Sequence, residues 1–278
     1  MRLALLLLLA VAALPARAQA PDTLAGRYTI AGAWESFDAL AADLRPGSVV
    51  FLGETHDDAV GHVLQQRLLA AVAARQPVVL ALEMFETDVQ GVLDEYLAGV
   101  ITERDMLAAA RPWGNYATDY RPLVEVARER GFPVIAANAP ARYVRLVTRS
   151  GLDALARLTP EARATMPPVV APPTDALAGR FVGLMTEMGA GHGGGGPTPE
   201  AMLVGQNLRD ATMAWAVARA RAAHPGAVVV HVNGSFHSDR RQGIPEHLAR
   251  LAPDAHVVVV SMGATPDAEG ADLTVATR

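Results

Sequence analysis

The ten residues Ser48 to Asp57 read Ser-Val-Val-Phe-Leu-Gly-Glu-Thr-His-Asp. An apolar run this short, rich in β-branched residues, is a strand buried on both faces. The spacing places that strand over Ser48–Leu52, with Gly53 ending it. Glu54 and His56 follow at once, and Asp57 or Asp58 caps a helix over Ala59–Arg75 that Pro77 stops. One strand, one turn carrying polar groups and one helix make a repeating α/β unit.

The unit recurs along the chain. Val78–Leu82 is a second strand ending at Glu83, and Val134–Ala137 a third followed by Asn138. Ala227–Val232 is a fourth, ending at Asn233-Gly234, and His256–Met262 a last one. Helical spacing is read over Thr87–Ala98, Thr102–Ala110, Tyr120–Arg130, Ala141–Leu158, Asp175–Met188, Glu200–His224 and Ile244–Leu251. The fold class is therefore α/β, a mainly parallel sheet covered by helices, with an additional helical region. Between these elements lie an aromatic loop (Pro112–Asp119), a proline-rich connector (Met166–Thr174) and a glycine loop around His192 (Gly189–Pro197). The last sixteen residues carry no clear pattern.

The chain has 278 residues, 51% hydrophobic and 19% charged, which suits one globular domain. Its net charge is −5, and no basic block exists to hold nucleic acid. All 24 basic residues are Arg. With no cysteine, disulfides, thiolate metal sites, a cysteine nucleophile, iron–sulfur clusters and an N-terminal lipid anchor are excluded. Arg2, the apolar run Leu3–Leu14 and Ala18-Gln19-Ala20 form an export signal over residues 1–20, with cleavage after Ala20, or after Ala18 as the alternative. The run is shorter than the roughly 20 apolar residues a membrane span needs. A periplasmic or secreted single domain over residues 21–278 is expected, without an integral membrane span, its helical parts at about 87–130 and 141–224.

In open parallel sheets, ligands bind outside the carboxyl ends of the strands. Those ends bring Glu54, His56, Glu83, Asn138, Asn233 and His237 toward one edge, with two Gly-x-x-His units among them. Paired imidazoles with a glutamate form a divalent metal set of His56, His237 and Glu83, or a general base with a carboxylate that orients it. His62 reads equally as a capping or solvent-facing residue and as a member of this set. His231 reads as a satisfied core histidine, while His224, His247 and His256 read as surface or strand residues without a role.

These residues, in order, resemble the ChaN-like haem-binding proteins of the haem-uptake and Tiki superfamily. The resemblance runs from about Val49 to Val260. It is carried by Gly53-Glu54-Thr55-His56 with His62 and Gln66, and by Glu83-Met84-Phe85 with Gln90 and Tyr96-Leu97. Trp113 with Tyr120-Arg121-Pro122-Leu123, Ala136-Ala137-Asn138, His192-Gly193, Gln206-Asn207 with Asp210–Ala214, and Gly234-Ser235-Phe236-His237 complete it. The resemblance implies an exported haem-binding protein of iron acquisition, with a tyrosine on the iron and two haems held at a homodimer interface. On that reading Tyr120 is the first iron ligand to consider and Tyr116 the second. His192 would close over a haem face, and Met188 is a further, thioether candidate. The wider superfamily implies a rival from another class, a metal-dependent peptidase or esterase. There His56 and His237 would stand near the metal, with Glu54 or Glu83 as base.

Overall fold

The computed structural model describes residues 24–189 and 196–278. The export signal and the placement of His192 therefore lie outside the described residues. The elements run β1 (Tyr28–Gly32), α1 (Phe37–Asp43), β2 (Val49–Glu54), α2 (Ala59–Ala73), β3 (Val78–Glu86), α3 (Gln90–Leu97), α4 (Glu103–Ala110), α5 (Arg121–Arg130) and β4 (Val134–Asn138). Then come α6 (Ala141–Ser150), α7 (Pro160–Arg163), α8 (Asp175–Glu187), α9 (Pro199–Ala223), β5 (Val228–Gly234), α10 (Ile244–Leu251), β6 (Val257–Gly263) and β7 (Leu273–Thr277).

The seven strands form one sheet in the order β1-β7-β6-β2-β5-β3-β4. Every neighbouring pair is parallel except β1 with β7. Because successive strand residues face opposite sides, each central strand feeds two cores. Val50, Leu52, Val230 and Leu80 pack under α1, α2, α3 and α5. Val49, Phe51, Val79 and Val229 pack under α9 and α10. A third, smaller core lies among the helices, where α6 meets α9 and the turn Leu152–Arg157. The helices start where the chemistry of their caps dictates. The Asp58 carboxylate accepts from the Val60 and Gly61 amides at 3.1 and 3.0 Å to open α2, and Thr174 and Thr198 open α8 and α9.

The expected α/β class holds, and the sequence reading needs correction at three places. The final residues are ordered into β7, which sits inside the sheet between β1 and β6. The expected helix Ala141–Leu158 ends at Ser150, and a 3₁₀ turn over Leu152–Arg157 follows Gly151, whose φ is 76°. The aromatic loop winds a π-helical turn over Tyr116–Tyr120. Among the described residues no helix is long and apolar enough to cross a membrane.

Candidate functional site

β2, β5 and β3 lie side by side; Glu54 and Gly234 end β2 and β5, and Glu83 follows Leu82, the last residue of β3 paired with β5. Glu54 is 3% exposed and Glu83 4%. Carboxylates buried this deeply must be hydrogen-bonded or paired. Glu54 receives the Tyr120 hydroxyl at 2.6 Å, the Gln65 amide and the His56 Nδ1 at 3.0 Å. His62, from α2, stands 3.4 Å from the same carboxylate and places its Nε2 3.1 Å from the His56 carbonyl. Of the two readings left open for His62, the structure takes the buried one, beside Glu54. Asn115 donates to that same carbonyl at 3.0 Å and ties the Trp113–Asp119 segment to it.

Glu83 anchors the second half. Its Oε2 accepts from the Gly234 amide at 2.8 Å, and its Oε1 lies 3.4 Å from His237 Nε2. The other ring nitrogen of His237 is bonded to Asp210 of α9. Burial alone would keep His237 neutral, but the two carboxylates outweigh it and push its pKa up to about 10. Burial likewise pushes Glu83 up, and the His237 charge with the Gly234 amide holds it down near 2. Both carboxylates thus favour the protonated form of His237, while burial pushes the Asp210 carboxyl up.

The halves meet at Gly234. A β-carbon there would stand 2.8 Å from His56 Cε1 and 2.9 Å from its Nε2, so only glycine lets the imidazole lie across the strand end. His56 is the open member of the group, its side chain 47% exposed with the Trp113 ring edge-on at 4.8 Å. The Glu54 hydrogen bond raises its pKa against the opposing effect of burial.

Glu54, His56, Glu83 and His237 therefore form one cluster, but the expected divalent metal set of His56, His237 and Glu83 finds no support. Among the described residues, no three His, Asp or Glu are grouped to hold a metal ion. At His237 both ring nitrogens already face carboxylates.

The candidate ligand residues fall in different places. Tyr120 is fully buried, and its phenol is pushed far above the usual range by burial and by Glu54. Tyr116 is buried against Phe85, and its hydroxyl has no partner among the described residues. Met188, 72% exposed, follows the end of α8. His247 is no surface residue: it is buried and 2.9 Å from Asn207 Oδ1. His231 is buried with Nδ1 3.1 Å from the Ala81 carbonyl, and burial lowers its pKa to about 4. Sequence reading passed over Tyr143, on the first turn of α6 just beyond the carboxyl end of β4. Its ring is half-buried and packs against the third core. Among the described residues Arg142 is its polar neighbour, with the guanidinium 4.4 Å above the ring.

A mainly parallel sheet covered by helices, with a polar cluster at its strand ends, defines the class as α/β. Residues 40–248 match the family described as haem-binding uptake, Tiki superfamily, ChaN, and the chain belongs to that family. No curated protein matches it in sequence. Among solved structures, ChaN of Campylobacter jejuni, described as binding haem cofacially, is similar with a TM-score of 0.70. The two are 17% identical, over 90% of this chain and 97% of that one. The type III effector HopBA1 is similar at a TM-score of 0.50 and 14% identity, over 87% of this chain and 93% of that one.

Proposed function

We propose that this protein is an exported haem-binding protein of iron acquisition and that Tyr143 is its iron ligand. Family membership supports haem binding. Haem brings an iron(III) centre that takes a phenolate oxygen. The observation that carries the assignment is the contrast between tyrosines. Ligation requires loss of the phenol proton, and burial beside the Glu54 carboxylate opposes that loss at Tyr120. Tyr143 is half-buried at the edge of the third core, away from that carboxylate, with the Arg142 guanidinium 4.4 Å from the centre of its ring. Tyr28 is also half-buried, but it lies on β1, outside residues 40–248. Hemin titration tests the assignment. Tyr143→Phe is expected to weaken binding at least about tenfold, the loss of one strong ligand contact, and to shift the visible spectrum. Tyr120→Phe is expected to leave the spectrum unchanged. The opposite pattern returns the role to Tyr120.

Export rests on the run Leu3–Leu14 with Ala18-Gln19-Ala20. Mass spectrometry of exported protein should find Pro21, or Gln19, at the N-terminus.

The strand-end cluster favours a second, separate reading without a metal. His56, oriented by Glu54 and partly open to solvent, is placed to act as a general base on water, which makes ester hydrolysis the reaction to assay. Loss of any esterase activity in His56→Asn supports it, and equal activity removes it.

A further inference from the structure

The structure assigns Tyr120 as a positioning residue for His56, because its phenol shares the glutamate oxygen that orients the imidazole. The inference rests on the ester-hydrolysis reading above, in which His56 is the base. His56 Nδ1 stands 3.0 Å from Glu54 Oε1, and the Tyr120 hydroxyl donates to that same oxygen at 2.6 Å. A carboxylate only accepts, so in the neutral ring Nδ1 carries the proton and Nε2 keeps the lone pair a base needs. The Gln65 amide holds the other oxygen, Oε2. Glu54 therefore has no free oxygen to turn toward His56.

The phenol is fixed in place. Tyr120 is fully buried at the end of the π-helical turn, with the His62 and Trp113 rings edge-on at 5.0 and 6.0 Å. Burial, and then the Glu54 charge, push its pKa far above the usual range, so it stays protonated and remains a donor. Two donors on one oxygen compete, since each draws charge from the carboxylate. The phenol thus weakens the hold of Glu54 on the protonated imidazole, which cannot act as a base. Other groups face His56 as well. Glu83 of β3 favours its charged form and His237 opposes it. His62 of α2 and Asn115 meet its carbonyl, Asp119 faces His62 at 3.6 Å, and Asp57 is exposed. Among these neighbours Tyr120 is the one bonded to the oxygen that His56 uses.

Histidine ring-proton signals followed against pH test the assignment, with His56 identified by its loss in His56→Asn. In Tyr120→Phe the His56 midpoint should rise by about one unit, the loss of one donor to a charged group. In Tyr120→3-fluorotyrosine the phenol donates more strongly, and the midpoint should fall. The fluorinated variant keeps the packing of the ring, so the test stands even if Tyr120→Phe does not fold. The acid limb of kcat/KM for p-nitrophenyl acetate should move with the same midpoints. A midpoint that stays put, or moves the same way in both variants, overturns the assignment. Opposite shifts in a protein that cleaves no p-nitrophenyl acetate uphold the shared oxygen and remove the hydrolysis reading alone.

Discussion

At His237 three charged groups share one dry space. Glu83 and Asp210 flank the ring, and removing one partner from such a group leaves an uncompensated buried charge. Asp210→Asn is expected to cost about 3 kcal/mol in urea unfolding at pH 7. The sign of the pH dependence follows from the two shifts. His237 is raised from 6.5 to about 10, so its contribution is complete below 6.5 and lost as pH rises through 10. Glu83 is lowered from 4.5 to about 2, so its contribution is complete above 4.5 and lost as pH falls through 2. Both are whole between 4.5 and 6.5. The stability gap between parent and Asp210→Asn should therefore shrink as pH approaches 10, and a gap that stays flat from pH 6 to 10 would mean His237 is not charged. Glu54, His56, Glu83 and His237 were legible in the sequence because each follows a strand end. Asp210 and Gln65 were not read as site residues, and His62 was left open, because they reach the site from the faces of α9 and α2. Nothing in a single sequence fixes how a helix is rotated over a sheet.

At the scale of elements, β4 is an edge strand, yet one side chain covers part of its backbone. The Gln90 amide donates to the Val134 carbonyl at 2.9 Å, and its oxygen accepts from the Ala136 amide at 2.7 Å. A single glutamine takes the place of two ladder bonds, which blunts an edge that another chain would otherwise extend. Gln90→Ala should expose that pair, lower stability by about 1–2 kcal/mol and raise the rate of aggregation on mild heating. Light scattering against the parent checks it, and identical curves would show that the edge is protected by other means. The strands read most easily were the central ones, β2, β3 and β5, whose continuous apolar runs come from burial on both faces. β7 was lost because only one face is fully buried. Leu273, Val275 and Thr277 point inward while Thr274 and Ala276 are half-exposed. Five residues of alternation after an acidic turn carry little signal. β1, with no fully buried residue, left even less.

For the whole molecule, the resemblance leads to the expectation that haem brings two copies together. Sedimentation with and without hemin should show a hemin-dependent shift from monomer to dimer in the parent and none in Tyr143→Phe. A parent that stays monomeric with haem bound would remove the dimer and keep the ligand assignment. One further consequence comes from the placing of β7. It lies between β1 and the rest of the sheet, with Arg278 N donating to the Arg27 carbonyl at 2.8 Å and Thr277 Oγ1 donating to Asp58 at 2.6 Å. The earliest strand therefore has nowhere to dock until the ribosome has made residue 277. Through most of synthesis, β1 remains an unattached leader to a sheet that lacks its docking strand. Pairing of β1 thus waits on β7, the last strand of the sheet to be made.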